Sequence, residues 1–178
     1  MKKLVLATFV LFLAGCGFHL RRPLDLPMDL GPVRVVSPDP YSPLAESLAL
    51  ALARAGATAP ADPDETQGVA RLEIVSERWG DTPNSLDQYG RAQEFSLRYA
   101  VIFALRDGNG RDVVPQQAVE LSRDYVAPAA DAIGKASERE LLSKEMRREM
   151  TTAILRRVAV ATRTPQPPPE DFSTEPKH

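Results

Sequence analysis

Between Phe95 and Leu105 the chain alternates without a break: Phe95, Leu97, Tyr99, Val101, Phe103 and Leu105 stand at every second position. Successive strand side chains point to opposite faces, so this period lets a strand bury one face and wet the other. Asp107-Gly108-Asn109-Gly110 follows at once, and such residues tolerate the positive φ of a tight reversal. Together the two features commit the middle of the chain to an antiparallel hairpin. Its outgoing strand runs from Arg91 to Arg106. The returning strand ends near Val126, and Pro115, with no N–H to offer a ladder, confines its regular part to Gln117 onward.

The flanking segments supply partners for that hairpin. Val69 to Trp79 places Ala70, Leu72 and Ile74 on one side and Arg71, Glu73 and Glu77 on the other, a strand with one wet face. Residues 80–90 hold Gly80, Pro83, Asn84, Asp87 and Gly90 and are expected to turn. Val33 to Ser37 reads as a short strand between Pro32 and Pro38. Ser42 can cap a helix whose first turn takes Pro43, whose buried stripe is Leu44, Leu48 and Leu52, and which Gly56 ends. Residues 57–68 form a loop.

A long helix closes the series. Ser137 and Glu140 match a capping box at its start, and Leu142, Met146, Met150, Ile154 and Val158 recur every four residues, supported by Leu141 and Leu155. On its wet face Glu140 attracts Lys144, and Lys144 mildly repels Arg148. The order β-α-β-β-β-α predicts an α+β domain over 33–163, a two-layer sandwich. Its two helices pack on one face of a mostly antiparallel four-stranded sheet.

The first residues belong to no such domain. Lys2 and Lys3 precede an apolar run from Leu4 to Leu13, broken only by Thr8, and Leu13-Ala14-Gly15-Cys16 follows. A basic start, a short apolar run and small residues describe a secretory signal over 1–15. An uncleaved anchor is the alternative, but a bilayer takes about 20 apolar residues and this run is roughly half that. The tetrapeptide resembles a bacterial lipobox, which implies lipid on the thiol of Cys16 and Cys16 as the mature N-terminus. Cys16 is the only cysteine, so no intramolecular disulfide can form. Gly17 stands where lipoproteins retained at the inner membrane usually carry aspartate, which favours the outer membrane. Residues 16–32 then form a proline-rich tether and 164–178, with five prolines, a disordered tail.

Composition excludes several classes. Without Lys2 and Lys3 the chain has 20 basic against 24 acidic residues, no footprint for nucleic acid. Histidine, the commonest acid–base residue and metal ligand near neutral pH, occurs only as His19 and His178, near the lipid and at the tail's end. No nucleophile elbow, phosphate loop or His-Glu-x-x-His is present. The chain is read as a non-enzyme with no catalytic or metal residues and no cofactor beyond the lipid on Cys16. Membrane contact is expected through that lipid alone. Carboxylate-only chemistry, as in glycosidases, is the one enzymatic alternative that residue types leave open.

From Cys16 the chain reads Cys-Gly-Phe-His-Leu-Arg, which resembles the mature start of the LPS-assembly lipoprotein family, LptE. The rest agrees in order: Gly90 to Phe95 entering the long strand, Ser122-Arg123-Asp124-Tyr125 after the hairpin, and Lys144-Glu145-Met146 in the final helix. The resemblance spans nearly all of 16–163. It implies a partner, the outer-membrane β-barrel LptD, with the chain as a plug in its lumen on the periplasmic side, delivering lipopolysaccharide to the outer leaflet. It also implies a lipopolysaccharide contact at Lys135, just before the last helix. The family's second basic position is missing from Asp87-Gln88-Tyr89-Gly90, and Arg91 is the substitute. A solvated loop charge is the alternative for both. Trp79 and Tyr89 are candidates for the barrel wall or for capping the core edge, and Arg98 and Arg123 for ion pairs on the sheet. A lipid-binding auxiliary lipoprotein of an envelope transporter, working without a barrel, remains the alternative function.

Overall fold

A computed structural model describes residues 31–62, 65–126 and 132–163. The signal segment, Cys16, His19, nearly all of the tether, and the tail with His178 lie outside these residues. Chain order is β1 (Val33–Val36), α1 (Pro43–Arg54), β2 (Ala70–Leu86), β3 (Ala92–Arg106), β4 (Asp112–Val126) and α2 (Ala132–Arg163). The sheet runs β1-β2-β3-β4, with β1 parallel to β2 and the other pairs antiparallel. The expected α+β order and mostly antiparallel sheet are what the chain adopts.

Local chemistry explains the small elements. Ser42 Oγ accepts the N–H of Ala45 at 3.2 Å, and Pro43 occupies the first turn, where a missing N–H costs nothing. At the other end Gly56 takes φ +90°, the N–H of Ala57 reaches Leu52 O at 3.0 Å, and that of Gly56 reaches Ala53 O at 3.1 Å. This is a Schellman ending, which needs a left-handed residue at Gly56.

One sheet face and both helices enclose the core. Leu97, Tyr99, Val101, Phe103 and Leu105 of β3 meet Leu44, Leu48 and Leu52 of α1 and Met146, Met150, Ile154 and Val158 of α2, all buried. Leu155 packs against this core, whereas Leu141, expected to support the stripe, is 66% exposed. Four-residue spacing places Leu142 on the inner face, and Leu141 is turned some 100° away from it.

Three further local readings are corrected. Residues 80–86, read as a turn, continue β2, which pairs with β3 as far as Leu86↔Ala92. Pro83 is tolerated because β1 flanks β2 only from Ala70 to Glu73, so the rest of β2 is an edge, and because the ladder shifts register between Pro83 and Ser85. A second shift, between Ile74 and Ser76, turns Glu77 from the wet face to the core face, where it pairs with Val101. The capping box does not form: α2 begins at Ala132, so Ser137 lies within the helix and Glu140 binds Lys144 at 2.8 Å. The added turn carries Lys135 onto Phe95, a non-local contact that a local motif cannot register.

The hairpins at the two ends of β3 share one device. Asp107 Oδ1 accepts the N–H groups of Asn109 and Arg111, both at 2.9 Å, and Arg111 Nε donates to Oδ2 at 2.8 Å. Asp87 does the same with Tyr89, Arg91 and the Arg91 Nε. The surroundings differ. A Cβ on Gly108 would stand 2.4 Å from the backbone of Gly68, so only glycine lets the Asp107 turn dock there. The Asp87 turn projects free, with Leu86 65% and Tyr89 73% exposed.

Candidate functional site

The projecting end of the sheet gathers the cations singled out in the sequence. Lys135, in the first turn of α2 rather than before the helix, places its Nζ 3.4 Å from the centroid of the Phe95 ring. Phe95 and Tyr125 face each other across β3 and β4 and stack with centroids 5.5 Å apart. The Tyr125 hydroxyl donates to Asp81 Oδ1 at 3.3 Å, and Arg139 Nε donates to Asp81 Oδ2 at 2.7 Å. Burial, then the Asp81 charge, raises the Tyr125 hydroxyl above its ordinary pKa, so it stays a donor.

Charge is shared unequally here. Arg139 is neutralised by Asp81, and Arg91 by Asp87 at 2.7 Å. The backbone N–H of Arg91, ahead of its guanidinium, holds the Asp87 carboxyl down to about 2. Arg91 also lies 5.2 Å from the Tyr89 ring. Lys135 meets an aromatic face, and no carboxylate among the described residues is within ion-pair distance of it. An aromatic face attracts an ammonium without cancelling its charge. Half-buried Lys135 therefore remains able to receive an anion. Exposed Leu86, Tyr89 and Val126 (Val126 pairs with Glu94) supply apolar surface at the same end.

Behind this end lies a second layer. Trp79 stacks on Tyr99 with centroids 3.7 Å apart, and Arg147 stands 5.9 Å from the Trp79 ring. Glu77 accepts from the Tyr99 hydroxyl at 2.7 Å and from Ser42 Oγ at 2.9 Å, tying β2, β3 and the start of α1 together. Trp79 thus caps the core edge, while Tyr89 stays in solvent. Arg98 pairs with Glu120 across the outer sheet face, and Arg123 pairs with Glu149 of α2. Among the described residues no group of three His, Cys, Asp or Glu is placed to hold a metal, and no helix is long and apolar enough to cross a membrane.

Sequence reasoning missed the Phe95, Tyr125, Asp81 and Arg139 cluster. Hairpin pairing could have brought Phe95 opposite Tyr125, but the β-bulge beside Pro115 shifts the register, with Leu105 facing Val114 and Phe103 facing Gln117. Counting from the turn would have missed the pair.

The fold and its projecting end can be set beside known proteins. A family model described as "LptE: Lipopolysaccharide-assembly" matches residues 30–158. This chain belongs to the LptE family. The LPS-assembly lipoprotein LptE of Photorhabdus laumondii is 31% identical over 160 residues, covering 87% of this chain and 83% of the relative. Its counterpart in Yersinia pestis is 30% identical over 155 residues, with 87% and 73% covered. Lipoprotein B from Nitrosomonas europaea superposes with a TM-score of 0.67 at 27% identity, over 83% of this chain and 94% of that one. The rare lipoprotein B of Shewanella oneidensis gives 0.63 at 27%, over 73% and 95%. The family match spans both the Asp87 turn and the start of α2, so the projecting end belongs to the shared LptE domain.

Proposed function

We propose that this LptE-family chain is an outer-membrane lipoprotein, anchored by lipid on Cys16, that plugs an LptD-like β-barrel and helps deliver lipopolysaccharide to the outer leaflet. The observation that carries this reading is Lys135, a cation on an aromatic face with no carboxylate among the described residues within ion-pair distance, beside exposed Leu86, Tyr89 and Val126. Lipopolysaccharide joins phosphates to acyl chains, and the two kinds of surface together match it. Arg91 plays the lesser part, since an incoming phosphate must compete with Asp87 for its guanidinium. Outside the core the sheet carries Arg98, Glu120 and Asp124, a polar exterior suited to the polar lumen of a large barrel.

The test is capture of the tagged full chain from detergent-solubilised outer membranes. A stoichiometric, heat-modifiable β-barrel in the eluate supports the plug, and recovery of the chain alone or with inner-membrane transporter subunits supports the auxiliary lipoprotein instead. Lys135→Glu is expected to weaken binding of purified lipopolysaccharide about tenfold or more, since a charge-assisted contact contributes about 1.5–3 kcal/mol. Unchanged affinity in a folded variant assigns the lysine to solvent. Cys16→Ala is expected to leave an unprocessed precursor that migrates more slowly on a gel, and normal processing would remove the lipobox reading.

A further inference from the structure

From Arg147 to Arg163, α2 carries five arginines and one acid, Glu149, in a chain whose net charge is −2. Basic residues in a helix's last turn are accounted for by the macrodipole, but Arg148 and Arg156 stand well before it. The structure also accounts for three of their neighbours. Arg147 covers the Trp79 ring, Arg157 donates to Gln117 Oε1 at 2.9 Å and Ala118 O at 2.8 Å, and Arg123 takes up Glu149 and Ser122 O. Arg148 and Arg156 are exposed, and no carboxylate among the described residues is within ion-pair distance of either. Between them lies a shallow groove of about 440 Å³ lined by Glu149, Thr152, Ala153, Arg156 and Arg157.

We infer that this face of α2 docks an acidic polypeptide segment of a protein partner, whose carboxylates meet Arg148 and Arg156 together. The two arginines are eight residues apart, about 12 Å along a helix, a span that two side chains of one segment can bridge. A single exposed guanidinium–carboxylate pair is weak, so only an occupant engaging several cations at once is held. Exposed Thr152 and half-buried Ala153 are small enough to admit a backbone between the cations. Glu149, on the groove wall, is held by Arg123 and is thereby kept from opposing carboxylates that approach Arg148 and Arg156. The segment lies on the helix rather than extending the sheet. Arg157 and Arg123 already engage the Ala118 and Ser122 carbonyls of the edge strand β4, which guards that edge against strand addition. Lys135 lies 21 residues before Arg156, roughly 30 Å away along α2, so this surface is distinct from the projecting end.

This inference rests on the barrel reading for the identity of the partner. A photo-reactive amino acid at Thr152 of the tagged full-length chain, expressed in its own envelope, tests it beside the double variant R148E/R156E. Expected is an adduct to an Asp- or Glu-bearing peptide of the co-purifying β-barrel, reduced at least tenfold in the double variant while its melting midpoint is unchanged. A barrel that co-purifies while the adduct is undiminished, absent or made to lipopolysaccharide or phospholipid overturns the inference and leaves the barrel reading standing. Failure of the parent chain to bring down any barrel overturns both.

Discussion

Replacing Met150 by aspartate is expected to leave the domain unfolded. Met150, on the inner face of α2, is fully buried in the core, and no cation among the described residues is buried with it. Truncating a buried methionine alone costs about 2–5 kcal/mol. An unpaired carboxylate adds several more, either as desolvation or as the work of keeping the acid protonated. A domain of this size holds only about 5–15 kcal/mol in reserve. Urea titration followed by circular dichroism should show no cooperative transition where the parent has one. An unchanged midpoint would mean that α2 does not pack as described. Met150→Leu, close in volume, should stay within about 1.5 kcal/mol of the parent.

Glu77→Ala is expected to cost about 2–4 kcal/mol, lowering the melting midpoint by roughly ten degrees. The substitution strands two donors at once, the hydroxyl of fully buried Tyr99 and that of Ser42, 3% exposed. Burial ahead of the Glu77 contact pushes the Tyr99 pKa upward, so the phenol cannot escape by ionising. Ser42 is also the cap of α1, and losing its carboxylate partner loosens the cap's orientation. Glu77→Gln keeps an acceptor for Tyr99 and an amide for the Ser42 oxygen, and should cost less than half as much. Thermal melts of the two variants separate loss of an acceptor from loss of charge, since equal destabilisation would assign the effect to the charge.

Much of the architecture was legible because it depends on periods that local residues carry. Phe95 to Leu105 alternates and is buried on one face; Leu44, Leu48 and Leu52 repeat every four and are buried likewise. The errors came from residues whose local preference was outvoted. Gly80, Pro83 and Asn84 are turn formers, yet they extend β2 because β3 offers a ladder along its whole length and the far side of β2 is open. Ser137 and Glu140 have capping-box spacing, yet the helix starts five residues earlier, where Lys135 gains the Phe95 ring.

The candidate site was legible only in part. Lys135 and Arg91 came from a family resemblance, and the structure places both at the projecting end of the sheet while distinguishing them by their partners. Asp87, four residues before Arg91, engages it through a turn whose pattern recurs at Asp107 and Arg111. Nothing local reveals that Lys135 lies on the ring of Phe95, 40 residues away in the chain.

By itself the sequence determined the buried faces of β3 and α1, the element order, the tight turn at Asp107 and the cap at Ser42, since each follows from spacing or from one residue's conformational range. The tertiary structure alone decided the sheet register and what surrounds each charge. Bulges beside Val75 and Pro115 move residues between faces and alter pairing across the hairpin, and their cost is set by neighbouring strands. The seating of Lys135 on Phe95, the contacts of Glu77 with Tyr99 and Ser42 and the docking of Gly108 on Gly68 all depend on distant segments coming together. Energies between groups far apart in the chain are set by their distance in space, which no local pattern encodes.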